Sequence, residues 1–320
     1  MNKNNLLKIV FFGTPDFAVK ILETMKANNL TPTLIITAPD KQSGRGLKLT
    51  PPAVKVWAIE NGVAFLQPPT LRDENLTLQI DTLHPDIFVV ASYGKIIPTA
   101  LLAVPTKGAL NVHPSLLPKY RGASPIHGAI LAGERRTGAT IILLDAEMDH
   151  GPILAQQELD ENIDQMNFVE LEGKLAELGG ALLVKTIFQL VGGEIISCEQ
   201  DHTSATYTKK ITKEDGHINW QDSAQIIKRR VLALNPWPGT FTFWRRGGKL
   251  TRLIMIHGQV VADEGHNFAP GTVFEWGDKM AVRTGEGSFI VENIKPEGKK
   301  ETTSQELLRG SKDILGAILE

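Results

Sequence analysis

The stretch Asn111-Val112-His113-Pro114-Ser115-Leu116-Leu117-Pro118-Lys119-Tyr120-Arg121-Gly122 decides how this chain is read. The small apolar residues Gly108-Ala109-Leu110 lead into it, so Asn111 and His113 are expected at the end of a buried strand. With one residue between them, both would point to the same face. A proline-interrupted loop, a helix-like segment and an apolar strand over Thr140–Leu144 separate them from Asp149. The aspartate would then return at the C-terminal end of a neighbouring strand, where open α/β sheets bind their ligands. An amide, an imidazole and a carboxylate gathered there suit acyl chemistry. The amide donates to a developing oxyanion, the imidazole donates or shuttles a proton, and the carboxylate orients the imidazole. Ser115 lacks the Gly-x-Ser-x-Gly context of a hydrolase nucleophile, so direct transfer is expected rather than an acyl-enzyme. A lone Asn or His at a strand end more often serves a loop; the combination with Ser-Leu-Leu-Pro and Met148-Asp149-His150-Gly151 is what points to chemistry.

Upstream of this stretch, Lys8–Phe12 is a short apolar run that ends at Gly13-Thr14-Pro15, and Phe17, Ile21 and Met25 then recur at helical spacing. Strand, tight turn and helix in that order open a doubly wound α/β fold with a mostly parallel sheet. Gly13-Thr14-Pro15 is not Gly-x-Gly-x-x-Gly, which removes the main support for a nicotinamide cofactor. Leu34–Thr37 reads as the second strand. It is followed by a glycine-rich basic loop, Ala38 to Lys48, and by a helix opened at Pro51-Pro52. Asp86-Ile87-Phe88-Val89-Val90-Ala91 is continuously apolar after its first residue, as a strand covered on both faces must be, and it ends at Ser92-Tyr93-Gly94. Downstream, Pro125 starts a helix running to about Ala132, and Ile153–Gln157 is another strand. From Phe168, the spacing of Leu171, Leu175, Leu178 and Leu182 predicts a long amphipathic helix.

Residues 1–196 are thus read as a catalytic domain and 197–208 as a polar linker. Beyond it one helix, Ser223–Ala233, precedes short β-like runs separated by glycine-rich turns. That pattern predicts a small C-terminal β-barrel of oligonucleotide-binding-fold type over 209–320. A chain of 320 residues favours two domains, and 42% hydrophobic with 22% charged residues is ordinary for a globular protein. Cys198 is the sole cysteine, which excludes an intrachain disulfide and a thiolate metal cluster. The eight histidines show no His-x-x-x-His spacing, so no metal is expected. The formal charge of −2 conceals an asymmetry: from Tyr207 onward there are 17 Lys and Arg against 14 Asp and Glu, and before it 17 against 22. A basic second domain suits a polyanionic partner. No uninterrupted apolar window suggests a membrane span, and the N-terminal apolar run is too short for a signal peptide; a cytoplasmic monomer is expected.

Taken together these residues resemble the folate-dependent formyltransferases, whose pattern is Asn-x-His-x-Ser-Leu-Leu-Pro followed by an Asp-x-Gly aspartate, here Asp149-His150-Gly151. Within that family the chain is similar to the branch acting on methionyl-tRNA. The likeness there is carried by Gly44-Arg45-Gly46, by Thr206-Tyr207 with the Lys-Ile-Thr-Lys-Glu-Asp-Gly stretch, and by Asn235-Pro236-Trp237-Pro238. The resemblance implies formyl transfer from 10-formyltetrahydrofolate to the α-amine of methionine on initiator tRNA. It makes Asn111, His113 and Asp149 catalytic, and it assigns the folate to Ser115, Leu116, Leu117 and Pro118 and to Ser92, Tyr93 and Gly94. It places tRNA near Lys41, Arg45, Lys48, Lys209 and Lys210. A cis Leu117–Pro118 bond is a further expectation. Three other readings stay open: transfer to a small amine such as glycinamide ribonucleotide or an amino-sugar nucleotide, hydrolysis of the same folate to formate, and a non-catalytic RNA-binding protein.

Overall fold

Five consecutive buried residues form β1 (Ile9–Gly13), which turns through Thr14 and Pro15 into α1 (Asp16–Ala27). The computed structural model describes residues 7–43, 48–262 and 267–320. Along the chain follow β2 (Leu34–Ile36), β3 (Lys41–Ser43), β4 (Lys48–Thr50), α2 (Ala53–Glu60), β5 (Ala64–Leu66), α3 (Glu74–Asp81), β6 (Ile87–Ala91) and α4 (Thr99–Leu102). Then come β7 (Ala109–His113), β8 (Arg121–Gly122), α5 (Pro125–Ala132), β9 (Gly138–Leu143), β10 (Ile153–Glu158), α6 (Phe168–Gly192) and β11 (Tyr207–Thr208). The remainder is α7 (Ala224–Leu234), β12 (Thr240–Arg246), β13 (Lys249–Val261), β14 (Val273–Trp276), β15 (Lys279–Arg283), β16 (Ser288–Pro296), β17 (Thr302–Thr303) and α8 (Ser304–Gly310). Two compact units result. The first holds the chain up to Pro125 with Arg136–Glu161 and Leu171–Lys209; the second holds Ile126–Arg135, Asn162–Glu170 and Lys210–Glu320.

The first unit is built on a seven-stranded sheet in the order β10-β9-β7-β6-β1-β2-β5. Its strands from β7 to β5 are parallel, as the doubly wound reading requires. β1 and β6 are buried at every residue because helices cover both faces. α1 buries Phe17, Ala18, Ile21, Leu22 and Met25. α6 comes so close to β7 that a Cβ on Gly179 would lie 2.7 Å from Val112 Cγ1. Val112 therefore faces the helix, and by the strand's alternation Asn111 and His113 face the other way. Among the described residues α6 is the one helix long and apolar enough to cross a membrane by length and composition, and half of that window is buried inside the protein.

Three expectations are corrected here. The strand preceding Asp149 runs antiparallel to β7, with Leu143 opposite Leu110 and Thr140 opposite His113. The 144–152 loop must therefore fold back over the sheet to bring the aspartate to Asn111. The basic stretch read as a loop carries an antiparallel ladder, with Lys41 opposite Thr50 and Gln42 opposite Leu49. The polar segment read as a linker is docked on the first unit: Cys198 exchanges backbone hydrogen bonds with Ile153, and β11 pairs with β8.

The second unit carries an antiparallel sheet in the order β12-β13-β16-β15-β14, with β17 on β16, curled as a half-barrel. Its thirteen-residue β13 shifts register on both sides of His257. At Gly258 the sheet packs so closely that a Cβ would sit 2.3 Å from Phe289 Cζ. Such a shift bends a long strand and lets a few strands wrap a core. That core joins Trp220, Ile227, Val231, Trp244, Met255, Val282 and Phe289, all buried.

Candidate active site

β7 ends at His113, two residues after Asn111. His113 is 3% exposed, and its Nε2 lies 3.0 Å from the carbonyl oxygen of Tyr120. A carbonyl only accepts, so that contact places a proton on Nε2 and leaves Nδ1 facing elsewhere. It faces Asp149, whose Oδ1 is 3.6 Å away, an ion-pair distance rather than a hydrogen bond. Asn111 Nδ2 stands 3.4 Å from the same oxygen. Oδ2 of Asp149 is held separately by the backbone N–H of Gly122 at 2.7 Å. The amide, the imidazole and the carboxylate expected to converge are therefore gathered around one carboxylate oxygen. Asp149 itself adopts φ of 50°, the left-handed region that side chains other than glycine enter rarely. Gly151 follows because a Cβ there would lie 1.9 Å from the carbonyl oxygen of Leu143. The glycine of Asp-x-Gly is thus a packing requirement of the fold-back.

The Ser-Leu-Leu-Pro segment is a clipped loop. Ser115 is fully buried, and its hydroxyl donates to the Lys119 carbonyl at 2.7 Å, so it is not presented as a nucleophile. Thr140 Oγ1 donates to the Ser115 carbonyl at 2.6 Å and accepts from the Leu117 N–H at 3.2 Å. Gln156 Nε2 adds bonds to the Leu117 carbonyl at 2.8 Å and to Thr140 Oγ1 at 2.9 Å. The Leu117–Pro118 bond is cis, as expected. Leu117 is buried, and Leu116 and Pro118 remain half-buried with surface to offer.

At the end of β6, Ser92 and Gly94 are exposed, with φ of 47° and 78°. Tyr93 departs from the expectation. Its ring is buried edge-on against Phe12 with centroids 5.6 Å apart, and burial pushes its phenol up to about 12. Only the main chain of Tyr93 is free to face a ligand, and its carbonyl already accepts from Thr14 Oγ1 at 3.3 Å. The left-handed turn at Ser92 breaks the strand's alternation and sends the next side chain inward. Beside this turn lies a cleft of about 480 Å³ lined by residues that include Arg72, Lys95, Ile96 and Pro98. None of the three convergent residues lines it.

The sequence reading missed Arg121, Gln200 and the two histidines beside them. Arg121 is 1% exposed and reaches Gln200 Oε1 through Nη2 at 2.7 Å and Nε at 3.2 Å. Nη2 also donates to His202 Nδ1 at 2.8 Å, and Nη1 lies 3.4 Å from the Tyr207 hydroxyl. Gln200 Nε2 donates to the carbonyls of Asp149 at 2.9 Å and Gly151 at 2.7 Å. The rings of His150 and His202 stack 4.0 Å apart, and His150 Nδ1 pairs with Asp145 at 2.7 Å. A Ser- and Thr-rich segment carries no pattern that marks one glutamine for burial.

Lys41, Lys209 and Lys210 are exposed. Arg45 and the side chain of Lys48 lie outside the described residues. Among the described residues no group of three His, Cys, Asp or Glu is placed to hold a metal ion.

The family described as formyl transferase matches residues 7–187, and the one described as formyl transferase, C-terminal domain, matches 210–312. A methionyl-tRNA formyltransferase of Chloroflexus aurantiacus is 41% identical over 306 residues, spanning 95% of this chain and 97% of that protein. One from Marinobacter nauticus is 38% identical over 310 residues, spanning 97% and 98%. Among solved structures, HypX from Aquifex aeolicus in complex with tetrahydrofolic acid aligns with a TM-score of 0.63 at 16% identity, over 95% of this chain and 47% of that one. An N-formyltransferase from Helicobacter canadensis, in complex with folinic acid and dTDP-3-aminofucose, aligns at 0.61 and 18%, over 89% and 98%. At these identities the structures speak to the fold alone.

Proposed function

The chain belongs to the formyl transferase family, and from that premise we propose that it is a cytoplasmic enzyme carrying a formyl group from 10-formyltetrahydrofolate to the α-amine of methionine on initiator tRNA. The observation that carries this reading is identity of about 40% along both units to enzymes named for methionyl-tRNA.

The folate supplies a formyl group already activated on a weakly basic nitrogen. The residues of β7 and the 144–152 loop do the rest by direct transfer through a tetrahedral oxyanion. As the neutral amine adds to the formyl carbon, Asn111 Nδ2 donates to the oxygen that gathers charge. His113 donates from Nδ1, since Nε2 is committed to the Tyr120 carbonyl. A ring donating at both nitrogens is a cation, and the Asp149 carboxylate 3.6 Å away balances it. Asp149 takes the proton released by the added amine and passes it toward the departing folate nitrogen, so that the old C–N bond breaks as the tetrahedral oxyanion collapses, after the new one has formed. Ser92 and Gly94 with the half-buried Leu116 and Pro118 offer backbone groups and apolar surface suited to a flat heterocycle. Lys41, Arg45, Lys48, Lys209 and Lys210 are the cations assigned to tRNA phosphates.

A labelled formyl donor offered with charged initiator tRNA, with elongator methionyl-tRNA and with water alone tests this. Label should pass to the initiator tRNA. Release as formate at the same rate without tRNA would instead make the protein a hydrolase.

A further inference from the structure

We infer that Gln200, set by the buried guanidinium of Arg121, is a positioning residue that holds the Asp149 carboxylate against His113 and Asn111. This rests on the proposed transfer reaction. The loop that carries Asp149 folds back over the sheet and passes through a left-handed residue at the aspartate itself. Backbone of that kind persists only where its surroundings hold it.

Gln200 supplies the hold. Its amide nitrogen bridges the carbonyls of Asp149 and Gly151, one on each side of His150. The orientation of the amide is not free. Guanidinium nitrogens only donate, so the oxygen of Gln200 must face Arg121 and its two N–H bonds must face the loop. Arg121 takes neutral partners, namely an amide oxygen, an imidazole nitrogen and a phenol. A buried cation with such partners is an expensive way to fill a core. It is a good way to fix a hydrogen-bonding direction, because the planar fork has one geometry. The residue after Arg121 completes the clamp: the Gly122 N–H holds Asp149 Oδ2, while Gln200 holds the aspartate's own carbonyl. His150, stacked on His202 and bonded to Asp145, braces the peptide between the two carbonyls that Gln200 grips.

Gln200→Glu separates this role from packing. The carboxylate keeps its acceptor for Arg121 but turns an oxygen toward two carbonyl oxygens, so the loop is released while the shape is kept. We expect kcat to fall about ten- to a hundredfold, as small displacements of catalytic groups do, with KM for folate and tRNA within about twofold. Amide hydrogen exchange should quicken at residues 145–152 and at Gly122. In an Asp149→Asn background the same change should alter kcat by less than about twofold, because the group it positions is gone. Equal losses in both backgrounds, or an unchanged kcat, would overturn the inference. If Gln200→Glu does not fold, Arg121→Lys, which keeps the charge and loses the fork, is put through the same cycle with the same deciding outcomes. A fully active Asp149→Asn enzyme would sink the transfer mechanism itself, and this inference with it.

Discussion

Replacing Asp149 by asparagine is the sharpest perturbation the site allows, because it removes a charge and keeps a shape. Gly122 donates to Oδ2 at 2.7 Å and accepts nothing there, so the new amide must turn its oxygen to Gly122 and its NH2 toward His113 and Asn111. That NH2 can donate to Nδ1 of a neutral ring, whose other nitrogen still donates to Tyr120. The substitution would thus convert Nδ1 from the donor that the oxyanion needs into an acceptor already occupied. The lost attraction can be sized. At the observed 3.6 Å between Nδ1 and Oδ1, two unit charges attract by about 5 kcal/mol at an effective dielectric constant of roughly 20. The carboxylate side chain is 13% exposed, and some screening by water follows. A net rise in the barrier of about 2 to 4 kcal/mol corresponds to roughly a thirty- to thousandfold loss of kcat. The KM values should barely move, since the effect belongs to the transition state. Single-turnover formylation of charged initiator tRNA at saturating folate measures it, with thermal melting as the control for folding. A loss below about threefold in a well-folded protein would refute the electrostatic role given to Asp149.

Asn111→Ala removes one oxyanion donor and should lower kcat by about a hundred- to a thousandfold with little change in melting temperature; turnover near that of the unmodified enzyme would remove the role. His127 gives a pH dependence of stability. Burial holds its imidazole down at about 4, against 6.5 when unfolded. Between those values the unfolded chain binds the extra proton, so unfolding free energy must fall as pH falls from 6.5 to 4. The loss should reach about 2 to 3 kcal/mol at the acid end, and denaturant titrations of His127→Gln should show a flatter profile there. Lys210→Ala should raise KM for charged tRNA a few-fold, leave kcat unchanged, and reduce the salt slope of tRNA binding by about one; an unchanged slope would take Lys210 off the tRNA.

What could be read from the chain and what could not divides along physical lines. Ile9–Gly13 and Ile87–Ala91 announce themselves because a strand covered on both faces has no polar positions to interrupt it. Asn111 and His113 were legible as a pair because strand alternation is a local rule that survives folding. Asp149 was legible as a residue but not as a path: antiparallel pairing of Gly138–Leu143 is decided by register with β7, and nothing within the strand records which way it runs. Tyr93 misleads for the complementary reason, since one left-handed residue before it reverses the side that alternation assigns. The single helical turn Thr99–Leu102 and the two-residue strand Tyr207–Thr208 are too short to have any period.

Gln200 marks the deepest limit. A glutamine in a segment rich in Ser, Thr and acids reads as solvated, and solvation is the right default for such composition. It is buried here because Arg121, seventy-nine residues earlier, offers two donors to its oxygen, and two carbonyls of a folded-back loop accept from its nitrogen. Each of those partners is buried only because the others are. A network in which every member's burial depends on another member leaves no trace at any one position, whereas a strand or helix leaves a pattern at several. Side chains that grip a catalytic loop are of the first kind. The residues proposed to reach the reacting carbon are therefore the easier half of this site to find in a sequence, and those proposed to hold them still are the half that only the fold reveals.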